Sequence, residues 1–199
     1  MSSKKPRTKK YNPHKAVRML HPAELIPIVT PLNNLATLLA RGYLTSNVFY
    51  METITDGKRD VIETEYDMLG FLHQQSFVIS SLEENCKISI FKNMAEIRGI
   101  IERMFIKVRH YLTANDDGSY TLPDKVEFSK LQCDTLIDFI HKSVVALMNT
   151  SKRDFANAAL NSSYNHQLYM RLKPSALNDF MDTNRDIKDL EEVCKYYAK

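Results

Sequence analysis

The alternation of apolar and polar positions divides the chain into helical stretches separated by a few clear breaks. The most regular stripe is Ile88, Phe91, Ala95, Ile97, Ile101, Met104, Phe105, Val108 and Leu112. Such three- and four-residue spacing puts one face of a long helix against a core. Tyr66, Leu69, Leu72, Ser76 and Ile79 predict a second helix over 64–82. Val126, Leu131, Leu136, Ile140, Val144 and Leu147 predict a third. It follows Pro123-Asp124 with Glu127, an Asp-x-x-Glu form of the capping box. Nearer the start, Thr30-Pro31 reads as an N-cap and first helical residue. Leu32, Leu35, Leu38 and Leu39 supply that helix's apolar face, and Gly42 its stop. Pro22 and Pro27 limit the stretch 14–28 to short helical pieces. Past residue 150, one pattern carries Phe155, Ala158, Ala159 and Leu168, with Asn161-Ser162-Ser163 as a candidate interruption. Another carries Leu177, Phe180, Ile187, Leu190, Val193 and Tyr197, beyond Lys173-Pro174.

The breaks carry a different signal. Val48, Phe49, Tyr50, Ile54, Val61 and Ile62 flank Asp56-Gly57, which predicts a small β-hairpin at 45–62. Asn115-Asp116-Asp117-Gly118 reads as a turn, and Tyr120-Thr121-Leu122 as extended. The predicted fold is mainly α: a single-domain bundle of five to six helices with that hairpin. Its length of 199 residues suits one domain. The core is assigned to 19–150, C-terminal helices packed on it to 151–199, and a flexible basic arm to 1–18.

Charge changes this picture most at the start of the chain. The formal net charge is only +3, from 27 Lys and Arg against 24 Asp and Glu. Residues 1–18 hold seven bases and no acid, leaving 20 bases and 24 acids elsewhere. The total is thus +7 from the arm and −4 from the body. At 44% hydrophobic and 26% charged, the composition is that of a globular chain. No apolar run approaches the roughly 18 residues of a membrane helix, so no membrane partner is expected. No apolar stretch follows the basic start, so no secretory signal is expected. Pro6 and Pro13 disfavour an amphipathic presequence. Cys86, Cys133 and Cys194 form no C-x-x-C pair and read as reduced thiols, which suits a cytoplasmic protein.

Candidate chemistry is sparse. Asp138-x-x-His141 lacks the second copy that a helical metal–carboxylate site needs. His73, His110 and His141 lie within helical patterns and read as structural. Glu63 and Glu65 read as a helix-start acidic pair rather than acid–base machinery. No glycine-rich phosphate loop and no nucleophile elbow is present. The expectation is therefore no enzyme, no catalytic residue, no cofactor and no metal.

Two segments point instead to binding. Lys4, Lys5, Arg7, Lys9, Lys10, Tyr11, Lys15 and Arg18 suit phosphates or an acidic protein surface, unless the arm is simply a solvated tail. Lys152, Arg153, Arg171 and Lys173 are a smaller candidate patch. Tyr164, Tyr169, Met170, Tyr196 and Tyr197 suit either a protein-interaction surface or packing on the bundle.

The opening Lys9-Lys10-Tyr11-Asn12-Pro13 resembles the Lys-Lys-Tyr-x-Pro start of small bacteriophage and prophage accessory proteins of uncharacterised function. The likeness continues through the helix Leu35–Arg41 ending at Gly42, the helix start 64–72, and Gly118-Ser119-Tyr120-Thr121-Leu122. It spans residues 9–150, while 45–62 and everything after 150 look like additions to that pattern. The resemblance implies a non-enzymatic accessory protein in the bacterial host cytoplasm. Such a protein would bind a host or phage macromolecule, as an inhibitor or regulator of a host complex or as a nucleic-acid-associated regulator. A capsid-associated or scaffolding role is the alternative. The resemblance carries no catalytic residues.

Overall fold

The computed structural model describes residues 18–47, 53–55, 58–60 and 64–172. Its first helix, α1 (Pro22–Leu39), begins well before the expected Thr30-Pro31 start. His21 caps it: the imidazole Nδ1 accepts from the Ala23 N–H at 3.2 Å. The Glu24 carboxylate accepts in return from the His21 N–H at 2.8 Å. Pro22 stands at the first helical position, where no N–H is needed. Pro27 and Pro31 lie inside the helix and each costs about 3 kcal/mol. Leu25, Ile28, Leu32, Leu35 and Leu39 are buried along the same helix. At about 2 kcal/mol each, their burial outweighs both prolines. Packing thus carries α1 through residues that local preference would use to break it.

Short antiparallel pairs follow. Strands β2 (Thr53–Thr55) and β3 (Lys58–Asp60) pair Thr53 with Asp60 and Thr55 with Lys58, giving the expected hairpin. Asp56 and Gly57 lie outside the described residues. Strands β4 (Thr113–Ala114) and β5 (Tyr120–Thr121) pair across the predicted turn, where Gly118 takes φ 81. The third pair was not expected. Strand β1 (Tyr43–Thr45) pairs with β6 (Lys125–Glu127), setting buried Leu44 opposite buried Val126. Glu127 therefore lies in a strand and opens no helix. The true capping box is Ser129 with Gln132: Ser129 Oγ accepts from the Gln132 N–H at 3.2 Å, and Gln132 Oε1 from the Ser129 N–H at 3.1 Å.

The remaining helices are α2 (Asp67–Cys86), α3 (Met94–His110), α4 (Lys130–Met148) and α5 (Lys152–Leu172). Helix α3 starts later than its stripe suggests, at an Asn93 cap, so Ile88 and Phe91 belong to the preceding loop. Helix α5 runs unbroken through Asn161-Ser162-Ser163, with buried Ser162 donating its hydroxyl to the Ala159 carbonyl at 2.8 Å. Helix α5 lies along α2, α1 packs on α4, and α3 packs on α2. Leu35, Leu69, Leu72, Ile101, Met104, Leu136 and Ile140 are fully buried between them. The pattern at 177–197 lies outside the described residues. Among the described residues, no helix is long and apolar enough to cross a membrane.

The β1–β6 pair is locked to the start of α2. Buried Tyr66 donates its hydroxyl to the Pro123 carbonyl at 3.1 Å. Burial, then Glu65 and Asp124, push this phenol up to about 12, so it remains a neutral donor. Glu65 is only 2% exposed. It accepts from Arg41 Nη2 at 2.7 Å and from the Thr45 N–H at 2.8 Å. It is a structural anchor rather than a helix-start charge. Replacing Glu65 by Ala leaves the Thr45 N–H without this acceptor and the partly exposed Arg41 without its ion pair, and should cost about 1–2 kcal/mol, read by urea denaturation. A loss near zero would mean that the anchor carries no weight.

Candidate functional site

Of the arm residues, Lys4, Lys5, Arg7, Lys9, Lys10, Tyr11 and Lys15 lie outside the described residues. Arg18 is described, and its side chain is exposed. Its carbonyl accepts from the Lys152 N–H at 2.9 Å, and Met19 forms an antiparallel bridge with Ser151. The Leu20 N–H donates to the Thr150 carbonyl at 3.3 Å. Residues 18–20 are thus held at the junction of α4 and α5. Lys152 does not add to the arm's charge, since Lys152 Nζ lies 3.0 Å from Glu24 Oε1.

The tyrosine group divides. Tyr164 is 69% exposed and continues an outward stripe with Leu160 and Leu168. Tyr169 turns inward, and its hydroxyl donates to Glu102 Oε1. Met170 is helical but its side chain is outside the described set, as are Tyr196 and Tyr197.

Around Tyr169 the structure assembles a buried polar and aromatic cluster. Helix α2 contributes His73 and Phe77, α3 contributes Arg98 and Glu102, and α5 contributes His166 and Tyr169. The His73 and His166 rings meet edge to face at 5.5 Å, and Phe77 lies 5.2 Å from His166. His73 Nε2 is 3.6 Å from Glu102 Oε1. The Arg98 guanidinium stacks 4.0 Å over the Phe77 ring and donates to Ser76 Oγ at 3.0 Å and the Ser76 carbonyl at 3.1 Å. Burial lowers the Arg98 pKa from its ordinary value. Both ring nitrogens of His166 are buried without a hydrogen-bond partner. Burial, then the neighbouring His73 and Arg98, hold His166 down to about 3. At the cluster's α2 face the hydroxyl of buried Ser76 donates to the His73 carbonyl at 2.6 Å and accepts from Arg98. The cluster works as a polar seam joining α2, α3 and α5. Among the described residues, no group of three or more His, Cys, Asp or Glu could hold a metal.

A groove of about 650 Å³ opens at the other end of α2. Cys86, Ile88, Ile90, Val145 and Ala146 line it, together with Thr150, Ser151 and the acidic Asp154. The loop that presents Ile88 and Ile90 is tied down. Glu83 Oε1 accepts from the Ile90 N–H at 2.5 Å and the Phe91 N–H at 2.8 Å. The turn out of α2 places Lys87 at φ 54, while the Ile88 N–H closes on the Glu83 carbonyl at 3.1 Å. A left-handed lysine is strained, so Lys87→Gly should raise stability by about 0.5–1 kcal/mol in thermal unfolding. A decrease would show that the lysine's own contacts outweigh that strain. Burial, then Asp154, raises the Cys86 thiol pKa, which disfavours the thiolate form. His141 borders the groove, while Asp138 pairs with Lys142 at 2.6 Å.

Sequence reasoning missed the groove and His166. The groove is built from the ends of three helices and leaves no local pattern. His166 had a visible signal: Phe155, Ala159, Ser162, His166 and Tyr169 share one helical face. Comparison with protein-family models, with curated proteins and with solved structures found no match for this chain.

Proposed function

We propose that this chain is a non-enzymatic accessory protein of the phage type, acting in the bacterial cytoplasm. It binds an acidic host or phage macromolecule through its basic N-terminal segment. The observation that carries the reading is the charge split, +7 within residues 1–18 against −4 in the rest. Its anchoring supports it, because Arg18, Met19 and Leu20 are held by backbone contacts to Thr150, Ser151 and Lys152. The phage context rests on the resemblance of residues 9–13 and the weaker likeness after them. The reading is tested by removing residues 2–17, which spares the anchored root, and measuring polyanion binding at low and high salt. Salt-sensitive binding that depends on the arm supports it. Absent binding, or binding that survives the deletion with an unchanged salt slope, contradicts it.

A further inference from the structure

We propose that the outward face of α5 is a self-association surface, on which a second copy of this chain packs antiparallel with the two-fold axis at Tyr164. The inference goes beyond the arm-binding reading and does not depend on it.

The face combines exposure with an absence of charge. Leu160, Tyr164 and Leu168 recur every fourth residue of the helix and are 49%, 69% and 43% exposed. They form one ridge, of the kind that fits into the groove beside the matching ridge of another helix. From Phe155 through Met170 the chain has no Asp, Glu, Lys or Arg. Asn157, Asn161 and Asn165, all exposed, flank the ridge. His166 lies on the buried side and is neutral near pH 7. A helix side covered only by water is normally lined with charged residues. The outer side of α4 follows that rule, with Lys130 paired to Asp134 and Lys142 to Asp138. Exposed leucine and tyrosine without charge is instead the composition of an interface centre.

The order of the residues selects a second copy as the occupant. A two-fold axis requires a patch to be complementary to itself. Reflected about Tyr164, Leu160 falls opposite the partner's Leu168, and Asn161 opposite the partner's Gln167. Ser163 falls opposite the partner's Asn165, and Tyr164 meets its own counterpart. Apolar thus faces apolar and uncharged polar faces uncharged polar at every pairing. A face without charge does not repel its own copy, whereas a strongly acidic or basic partner would find no opposite charge on it. A lipid surface fits less well, because interfacial helices carry Lys and Arg beside their apolar side. A ridge of three exposed apolar residues with amide flanks is at the small end of interface sizes, so dissociation in the micromolar range or weaker is expected.

The test uses the full chain in sedimentation equilibrium under reducing conditions, from low micromolar to several hundred micromolar. A reversible monomer–dimer equilibrium is expected, and it should be insensitive to salt because the face buries no charge. The Leu160→Lys/Leu168→Lys double variant puts like charges on both copies and should weaken the dimer at least about tenfold. Both residues are exposed, so the fold should persist, checked by circular dichroism. Cysteine substitution then reads the register. On the axis, Tyr164→Cys should give a disulfide-linked dimer on mild oxidation, above the background set by Cys86, Cys133 and Cys194 in the wild type. Leu160→Cys should not, because one turn of helix places it more than about 10 Å from its counterpart, too far for a disulfide. A chain that stays monomeric at every concentration overturns the proposal, including the case in which residues 173–199 of the same chain cover the face. A dimer that survives the double substitution, that salt dissolves, or that Leu160→Cys links as readily as Tyr164→Cys overturns it too.

Discussion

Acidification from about pH 7 to about pH 4 is expected to remove about 3 kcal/mol of stability through one residue, His166. The ring is 2% exposed, and neither nitrogen has a hydrogen-bond partner. His73 faces it from α2, Arg98 and Glu102 stand on α3, and Tyr169 lies on its own helix. Its pKa falls from 6.5 to about 3 on folding, so the native state holds the ring neutral. That contribution is complete above 6.5. It is lost as pH falls from there towards 3, because the unfolded chain takes up a proton that the native state refuses. A loss of about 3 kcal/mol is a large part of the 5–15 kcal/mol typical of a domain. Urea denaturation of the wild type and of His166→Gln at both pH values isolates this residue from the other titrating groups. The variant should lose about 3 kcal/mol less on acidification. Equal losses would show that His166 does not titrate as a buried neutral ring.

The legibility of this fold in its sequence follows the range of the interactions involved. Helix α3 was readable because Ile97, Ile101, Met104, Phe105 and Val108 all turn to one buried side. Helix α4 was readable in its body but not at its start. Asp124 with Glu127 and Ser129 with Gln132 are equivalent local patterns, and the choice fell to the Leu44–Val126 pairing. That contact joins residues far apart in the chain and leaves no mark on a local window. Helix α1 went the same way, since the burial that overrides Pro27 and Pro31 comes from α4. Helix α2 carries more buried positions than one stripe can supply, including His73, Gln74, Gln75 and Ser76. It is covered by α3 and α5 together, so its polar residues enter the interior instead of facing water. The charge split between residues 1–18 and the rest was legible because charge composition needs no folding to be read. The backbone contacts of residues 18–20 with the α4–α5 junction were not.

Loss of the arm should produce the largest effect on binding. Residues 2–17 contain Lys4, Lys5, Arg7, Lys9, Lys10 and Lys15, six bases without an acid. If all six neutralise phosphates, the affinity for duplex DNA falls about a thousandfold between roughly 50 and 200 mM salt, by counterion release. The body, at −4 outside residues 1–18, offers no comparable attraction. The most direct measurement is therefore a salt series of duplex affinity for the full chain and for the chain lacking residues 2–17. The full chain should bind at low salt with a steep negative slope of log affinity against log salt. The shortened chain should bind weakly, with a slope near zero. A full chain that does not bind at low salt, or a shortened chain with the same affinity and slope, would contradict the assignment of binding to the arm.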